Sequence, residues 1–336
     1  MKEKIEKKRL AILKALQEAG KPLGSSRLRE RLVAMGHELS ERTVRFHLLE
    51  MDREGLTENL GRRGRRITER GRRELASARV FEKVGFLAAK IDRMTYLMTF
   101  NLESRTGTVV INLTFIPLVL LPRSTPLISR VFAAGYAMGS LIGLFGPGER
   151  VGEFTVPEDM AGVATVCSIT LNGVLLHYGI PTYSRFGGLL ELEQGKPSRF
   201  LEIITYEGTS IDPLEIFTRS GMTNYLGATS TGNGCIGAGF REIPAESRDQ
   251  VIELAHELEK IGLGGFLTIG WPGMPLLEVP VSEGRAGVVV IGGLNPVAIL
   301  EEAGIHLKSR ALAGLIDYRK LFPYQEMEER IKHYLS

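Results

Sequence analysis

Apolar residues recur at helical spacing three times within the first 54 positions. Ile5, Leu10, Ile12, Leu13 and Leu16 make one stripe, predicting a first helix over 5–19 that Gly20-Lys21-Pro22 stops. Leu28, Leu32 and Met35 make a second, with Ser25 as the expected N-cap and Gly36 at the end. Val44, Leu48 and Met51 recur at i, i+4 and i+7, so a third helix over 41–54, capped by Ser40, buries one face. Its other face carries Arg42, Arg45 and Phe46, and Gly55 suits the positive φ that ends it. Residues 56–67 then read as a β-hairpin with the tip Gly61-Arg62-Arg63-Gly64-Arg65-Arg66, and 68–78 as a fourth short helix capped by Thr68.

Downstream the pattern changes. Residues 79–105 space Val84, Phe86, Leu87, Ile91, Met94, Leu97 and Met98 as a connecting helix that later gives way to a strand. They contain no Gly/Ser-rich linker, so the head is expected to be coupled firmly to the body. Their apolar surface suits a dimer contact or packing within its own domain. The runs 108–121 and 131–145 read as a core strand and a core helix, both short of the roughly 18 apolar residues that span a bilayer. The expected organisation is a head over 1–79 and a body over 80–336.

Within the body, 107–193 and 234–318 match in order. GTVVINLTFIP (107–117) pairs with GCIGAGFREIP (234–244), AGVATV (161–166) with AGVVVI (286–291), LNGV (171–174) with LNPV (294–297), and GGLLE (187–191) with AGLID (313–317). Each segment reads strand, helix, three strands, helix, strand. The expected body is an α+β domain of two duplicated ferredoxin-like (βαββαβ-type) halves, separated by an insert at 195–233 and closed by a helix at 324–335.

Charge adds the first functional signal. Residues 1–80 hold 21 Lys+Arg against 12 Asp+Glu, whereas the remainder holds 21 against 27, so a formal net of +3 conceals a basic head on an acidic body. A short helix with exposed arginines next to an Arg-rich hairpin is how a winged helix-turn-helix grips DNA. The candidate contacts are Ser40, Arg42, Thr43, Arg45 and Phe46 on the helix and Arg62, Arg63, Arg65 and Arg66 on the wing. The alternative for such a charge run is a solvated face. The charged N-terminus lacks a secretory core, and the expectation is a cytoplasmic protein with no membrane partner. Cys167 and Cys235 stand far apart with no CxxC pair, which argues against a disulfide framework and a structural zinc site.

Chemistry in the body is expected at a cleft between the halves. Thr165-Val166-Cys167-Ser168-Ile169-Thr170 leads from a strand into a helix at Leu171-Asn172-Gly173, and helix starts of this kind hold carboxylates or phosphates. Arg185, Gly187 and Gly188 follow that helix, and Arg241 stands on a strand end where few arginines occur. Each has a plainer reading: Ser168 and Thr170 as helix caps, Cys167 as a small buried apolar residue, Arg241-Glu242 as an internal ion pair. The candidate effector contacts are Cys167, Ser168, Thr170, Asn172, Arg185, Gly187, Gly188 and Arg241. No Walker motif, HExxH or nucleophile elbow occurs, and no catalytic or metal site is expected.

The head followed by TVCSITLNGVLLHYGIP (165–181), FGGLLEL (186–192), TSIDPLEIF (209–217) and FREIP (240–244) resembles the NrpR family of nitrogen regulatory repressors. The resemblance covers nearly the whole chain. It implies a repressor of nitrogen-assimilation genes that binds palindromic operator DNA and is released by 2-oxoglutarate, with Cys167 in the effector response and no cofactor. It implies a homodimer, or association with a separate NrpR-type regulatory subunit. The competing classes are a metabolic enzyme fused to a DNA-binding head and a dimerising adaptor without a small-molecule ligand.

Overall fold

The computed structural model describes residues 2–81 and 86–335, with the side chains of 2–7, 76–81 and 335 left out; the burial expected of Ile5 and the position expected of Val84 fall outside what is described. The chain forms two compact units, Met1–Val84 and Gly85–Ser336, so the break falls a few residues beyond the expected one.

The first unit runs α1 (Lys2–Ala19), α2 (Ser25–Ala34), α3 (Glu41–Arg53), β1 (Thr57–Asn59), β2 (Arg65–Ile67) and α4 (Glu69–Phe81). It is a winged helix. β1 and β2 pair antiparallel, and Leu23 adds a bridge to Arg65 on the far side of β2. Ile12, Leu16, Leu28, Leu32, Val44, Leu48 and Met51 meet in one core, which is why three weakly apolar helices hold together. Ser40 caps α3 by accepting from the Thr43 amide at 3.1 Å. Thr68 accepts from the Gly71 amide at 3.0 Å at the start of α4. The start of α2 differs from expectation: Gly24 is the cap residue, and the Ser25 hydroxyl instead donates to Glu41 at 2.9 Å, tying α2 to α3. Met35 lies past the end of α2 and is only partly buried.

The wing depends on one glycine. Gly64 has φ +96°, and a Cβ there would sit 2.3 Å from the carbonyl of Leu23. Gly64→Ala is expected to destabilise the head by more than about 2 kcal/mol, since strain and clash add. Gly20→Ala, at φ +63° but in open space, is expected to cost about 1 kcal/mol. Thermal unfolding of the two variants checks the difference.

The second unit begins with α5 (Phe86–Leu97), β3 (Thr108–Pro117), α6 (Leu121–Ala133), β4 (Leu141–Phe145), β5 (Arg150–Val151), β6 (Phe154–Thr155), β7 (Met160–Val166), α7 (Ile169–His177) and β8 (Tyr183–Glu193). The insert supplies β9 (Lys196–Thr205), α8 (Pro213–Arg219) and α9 (Tyr225–Thr231). Then come β10 (Gly234–Pro244), α10 (Arg248–Lys260), β11 (Phe266–Ile269), β12 (Arg285–Ile291), α11 (Asn295–Glu302), β13 (Lys308–Asp317), β14 (Phe322–Pro323) and α12 (Met327–Leu335). Two expectations fail locally. The run 131–145 is no single helix, because Gly135 and Gly139 turn the chain at φ +77° and +73° between α6 and β4. The strand expected before residue 105 is a turn closed by an Asn101–Thr106 bridge.

Two five-stranded antiparallel sheets result, in the orders β13-β3-β7-β4-β14 and β11-β12-β10-β8-β9. The last strand of each matched segment crosses over. β8 pairs with β10, and β13 pairs with β3, so neither segment closes a sheet of its own. This differs from two self-contained units lying side by side. The exchange carries the N-terminal end of α7 toward β10, and the insert packs over the same junction.

Candidate DNA-reading face and buried anion site

On α3, Arg42, Arg45, Phe46 and Leu49 are exposed. Arg45 is not free: it donates to Glu41 at 2.6 Å and to the Ser25 hydroxyl at 3.1 Å. Ser40 and Thr43 are hydrogen-bonded to each other at 2.8 Å as the cap pair. The four tip arginines divide. Arg62 and Arg63 are exposed and have no ion pair among the described residues. Arg66 pairs with exposed Glu58 at 2.8 Å. Arg65 turns inward to Asp52 at 2.7 Å, with both side chains under 20% exposed, and so serves the fold of the head rather than its surface.

In the second unit the structure brings Cys167, Ser168, Asn172, Gly187 and Arg241 to one junction. Arg241 on β10 is 1% exposed. Its Nη2 donates to Ser168 Oγ at 2.9 Å, while Nε and Nη1 have no hydrogen-bond partner among the described residues. Burial pulls this guanidinium down to about 10 from its usual 12.5. Ser168 does not cap α7; its hydroxyl is committed to Arg241. Cys167 is buried, and that burial pushes its thiol up to about 12, so it stands neutral. Asn172 donates from Nδ2 to Ser184 at 2.9 Å and leaves Oδ1 buried without a partner among the described residues.

Gly187 and Gly239 face each other across β8 and β10. A Cβ on either would come to 3.3 Å from the Tyr206 hydroxyl, and one on Gly187 would strike Pro213. Since Gly239 and Arg241 are two apart, they share a sheet face. The floor beside Arg241 is therefore bare backbone, roofed by Tyr206 and the start of α8. Asp212, which caps α8 by accepting from Leu214 N at 2.9 Å, is raised to about 6 by burial.

Three candidates lie elsewhere. Thr170 accepts from the Val110 amide and donates to the Val110 carbonyl, both at 3.1 Å, which stitches α7 to β3 and leaves the hydroxyl no spare donor. Gly188 points to the opposite sheet face, against Phe200. Arg185 is the extra residue of a β-bulge, since Phe240 pairs with Phe186 and Arg241 with Ser184. The bulge aims it at Glu242 (2.8 Å) and the Pro280 carbonyl (2.6 Å). Arg241 and Glu242 alternate across β10 and do not pair; Glu242 belongs to Arg185.

The matched segment shows what a filled site looks like. Asn295, the counterpart of Asn172 in the LNGV/LNPV match, donates to the Tyr136 and Gly237 carbonyls at 3.0 and 2.9 Å and accepts from Tyr225 OH at 2.6 Å. The insert's Tyr225 completes that end, whereas among the described residues nothing donates to Asn172 Oδ1. Tyr206, Asp212 and Tyr225 were missed from sequence; Asp-Pro in TSIDPLEIF is a readable cap signal, but the strand partner it roofs is not.

A family model described as NrpR regulatory domains NRD1 and 2 matches residues 84–323, and one described as Ribonuclease R winged-helix domain matches 10–75. The Global nitrogen regulator NrpRI of Methanosarcina mazei is 35% identical over 321 residues, covering 96% of this chain and 99% of that protein. The chain belongs to the NrpR family. The Global nitrogen regulator NrpR of Methanococcus maripaludis is 30% identical over 97% of this chain, and the chain spans 56% of its length. The crystal structure of a nitrogen repressor-like protein from Methanococcus jannaschii superposes with a TM-score of 0.59 at 27% identity, covering 70% of this chain and 97% of that one. These NrpR relatives are named as regulators rather than enzymes, and this chain shares the non-enzymatic role. No helix among the described residues is long and apolar enough to cross a membrane.

Proposed function

We propose that this NrpR-family chain is a cytoplasmic repressor of nitrogen-assimilation genes, which binds palindromic operator DNA through its winged helix and is released by 2-oxoglutarate. The observation that carries the effector half is Arg241, a buried cation whose Nε and Nη1 have no hydrogen-bond partner among the described residues, at the ladder position opposite Ser184, to which Asn172 donates. Buried donors left unpaired cost about 1–3 kcal/mol each, so a site of this kind is built for an anion that completes it. A carboxylate of 2-oxoglutarate accepts from Arg241. The Ser184 hydroxyl is able to donate to Asn172, which turns the amide so that Nδ2 faces the same anion. The DNA half is supported by the exposed Arg42, Arg62 and Arg63 on a recognition helix and wing.

Release requires that the liganded body favour a different placement of two heads, by a differential affinity of about 1–3 kcal/mol. A homodimer supplies two recognition helices about one turn of DNA apart; a separate NrpR-type subunit is the second arrangement. The same reading takes 107–193 and 234–318 as duplicated ferredoxin-like halves that have exchanged their last strands. The orders β13-β3-β7-β4 and β8-β10-β12-β11 support it. Operator binding by the full chain, titrated with 2-oxoglutarate, tests the proposal. Wild type is expected to dissociate at millimolar effector and Cys167→Ala to respond less. Operator affinity that stays flat across the titration refutes the effector half.

A further inference from the structure

The head carries exposed apolar surface that its own fold does not use. Phe46 is 60% exposed and Leu49 51%, on a helix that buries Val44, His47, Leu48 and Met51 on its other side. Residues 42, 45, 46 and 49 fall at i, i+3, i+4 and i+7, which is one continuous stripe. Two of its four members are cations and two are large and apolar. Arg45 is folded back onto Glu41 and Ser25, so the centre of the stripe is the Phe46 ring. That ring stands edge-on to His47 at 5.6 Å, and the His47 pKa is lowered by burial and by the nearby Lys8 and Arg9. Phe46 itself stays exposed on the outer side of α3.

A solvated face has no use for a phenyl ring and an isobutyl group side by side. What covers them must tolerate the flanking Arg42 and the wing cations Arg62 and Arg63. A polyanion with apolar points inside its groove fits both requirements. Duplex DNA is such a partner: the major groove admits a helix, and its apolar feature is the 5-methyl group of thymine. A-form RNA does not fit, because its major groove is too narrow for a helix and uracil lacks the methyl.

We propose that Phe46, with Leu49 beside it, is a specificity-determining contact that reads thymine methyl groups in the major groove. The proposal rests on the DNA-binding reading above and adds to it which bases are selected and by what chemistry. Phosphate contacts from the wing set affinity, and the apolar centre of α3 sets sequence.

The test uses the full chain and DNA alone. A duplex is first selected from a random-sequence pool, then resynthesised with deoxyuridine replacing thymidine at one position at a time. Each methyl that loses its contact is expected to weaken wild-type binding about fourfold, with the salt slope unchanged. Phe46→Ala should bind the thymine and uracil duplexes equally. Because Phe46 is exposed, that variant should keep the wild-type unfolding midpoint, and Phe46→Leu should restore most of the uracil penalty. Salt-dependent binding by wild type with no uracil penalty at any position overturns the proposal and leaves the DNA reading standing. A uracil penalty that survives in Phe46→Ala also overturns it. If Phe46→Ala instead dissociates an oligomer without changing DNA recognition, the stripe is a protein contact. Absence of binding to any duplex at low salt removes the DNA reading itself.

Discussion

Arg241→Met is expected to raise the unfolding midpoint of the second unit while abolishing its response to 2-oxoglutarate. The two effects share one cause. The guanidinium is 1% exposed and among the described residues meets a single hydrogen-bond partner, Ser168 Oγ, so most of its desolvation is uncompensated. Replacing a buried ion by an apolar chain of similar length is neutral or stabilising by about 1–4 kcal/mol. In a unit of this size that is a rise of roughly 2–4 °C for each kcal/mol. The ligand loses at least two charge-assisted hydrogen bonds at about 1.5–3 kcal/mol each, which corresponds to a loss of 100-fold or more in affinity. Calorimetric titration and thermal unfolding of the same variant read both. A lowered midpoint with intact effector binding would make Arg241 a strut of the fold instead of a receptor group. Arg241→Lys keeps the charge without the planar fork and is expected to bind weakly as well.

The second large effect is on DNA. Arg62→Ala combined with Arg63→Ala is expected to flatten the salt dependence of operator binding by about two units of slope. At about 0.1 M salt it should cost on the order of 50-fold in affinity, since each phosphate contact releases close to one counterion. Arg65→Ala is expected to behave differently. Its partner is the shielded Asp52, so its loss lowers the stability of the head by about 1–3 kcal/mol and leaves the slope unchanged. Fluorescence anisotropy across a salt series separates the two. Equal slope losses from Arg63 and Arg65 would place the wing on DNA in another way.

The division between Arg63 and Arg65 shows where sequence reading stops. The string GRRGRR announces a cationic tip. It says nothing of which arginines turn inward, because that depends on β2 bridging Leu23 and on Asp52 standing next to the last residue of α3. Ser25 is a similar case. A serine before a helical run is a sound cap candidate, yet a glutamate from the next helix took its hydroxyl. Cap chemistry is local, and ion-pair chemistry is not.

The sequence by itself determined the winged helix, the contrast between a basic head and an acidic body, the strand–helix start and helix–strand end of the two matched segments (four strands in the first and two in the second stand where three were expected between the helices), and Arg241 as an arginine out of place. Each of these is written in periodicity, charge or internal similarity, which are properties of neighbours along the chain. Tertiary structure alone decided that the last strand of each segment joins the other's sheet, that a bulge carries Arg185 away to Glu242, that Thr170 is spent on β3, and that the insert fills the Asn295 end with Tyr225 but roofs the Arg241 end with Tyr206. Those outcomes rest on pairings between residues far apart in the chain, from Gly234 with Leu192 to Asp317 with Thr108. The free energy of such contacts depends on which surfaces meet, and no local pattern encodes that. The unmet donors of Arg241 are a result of that meeting.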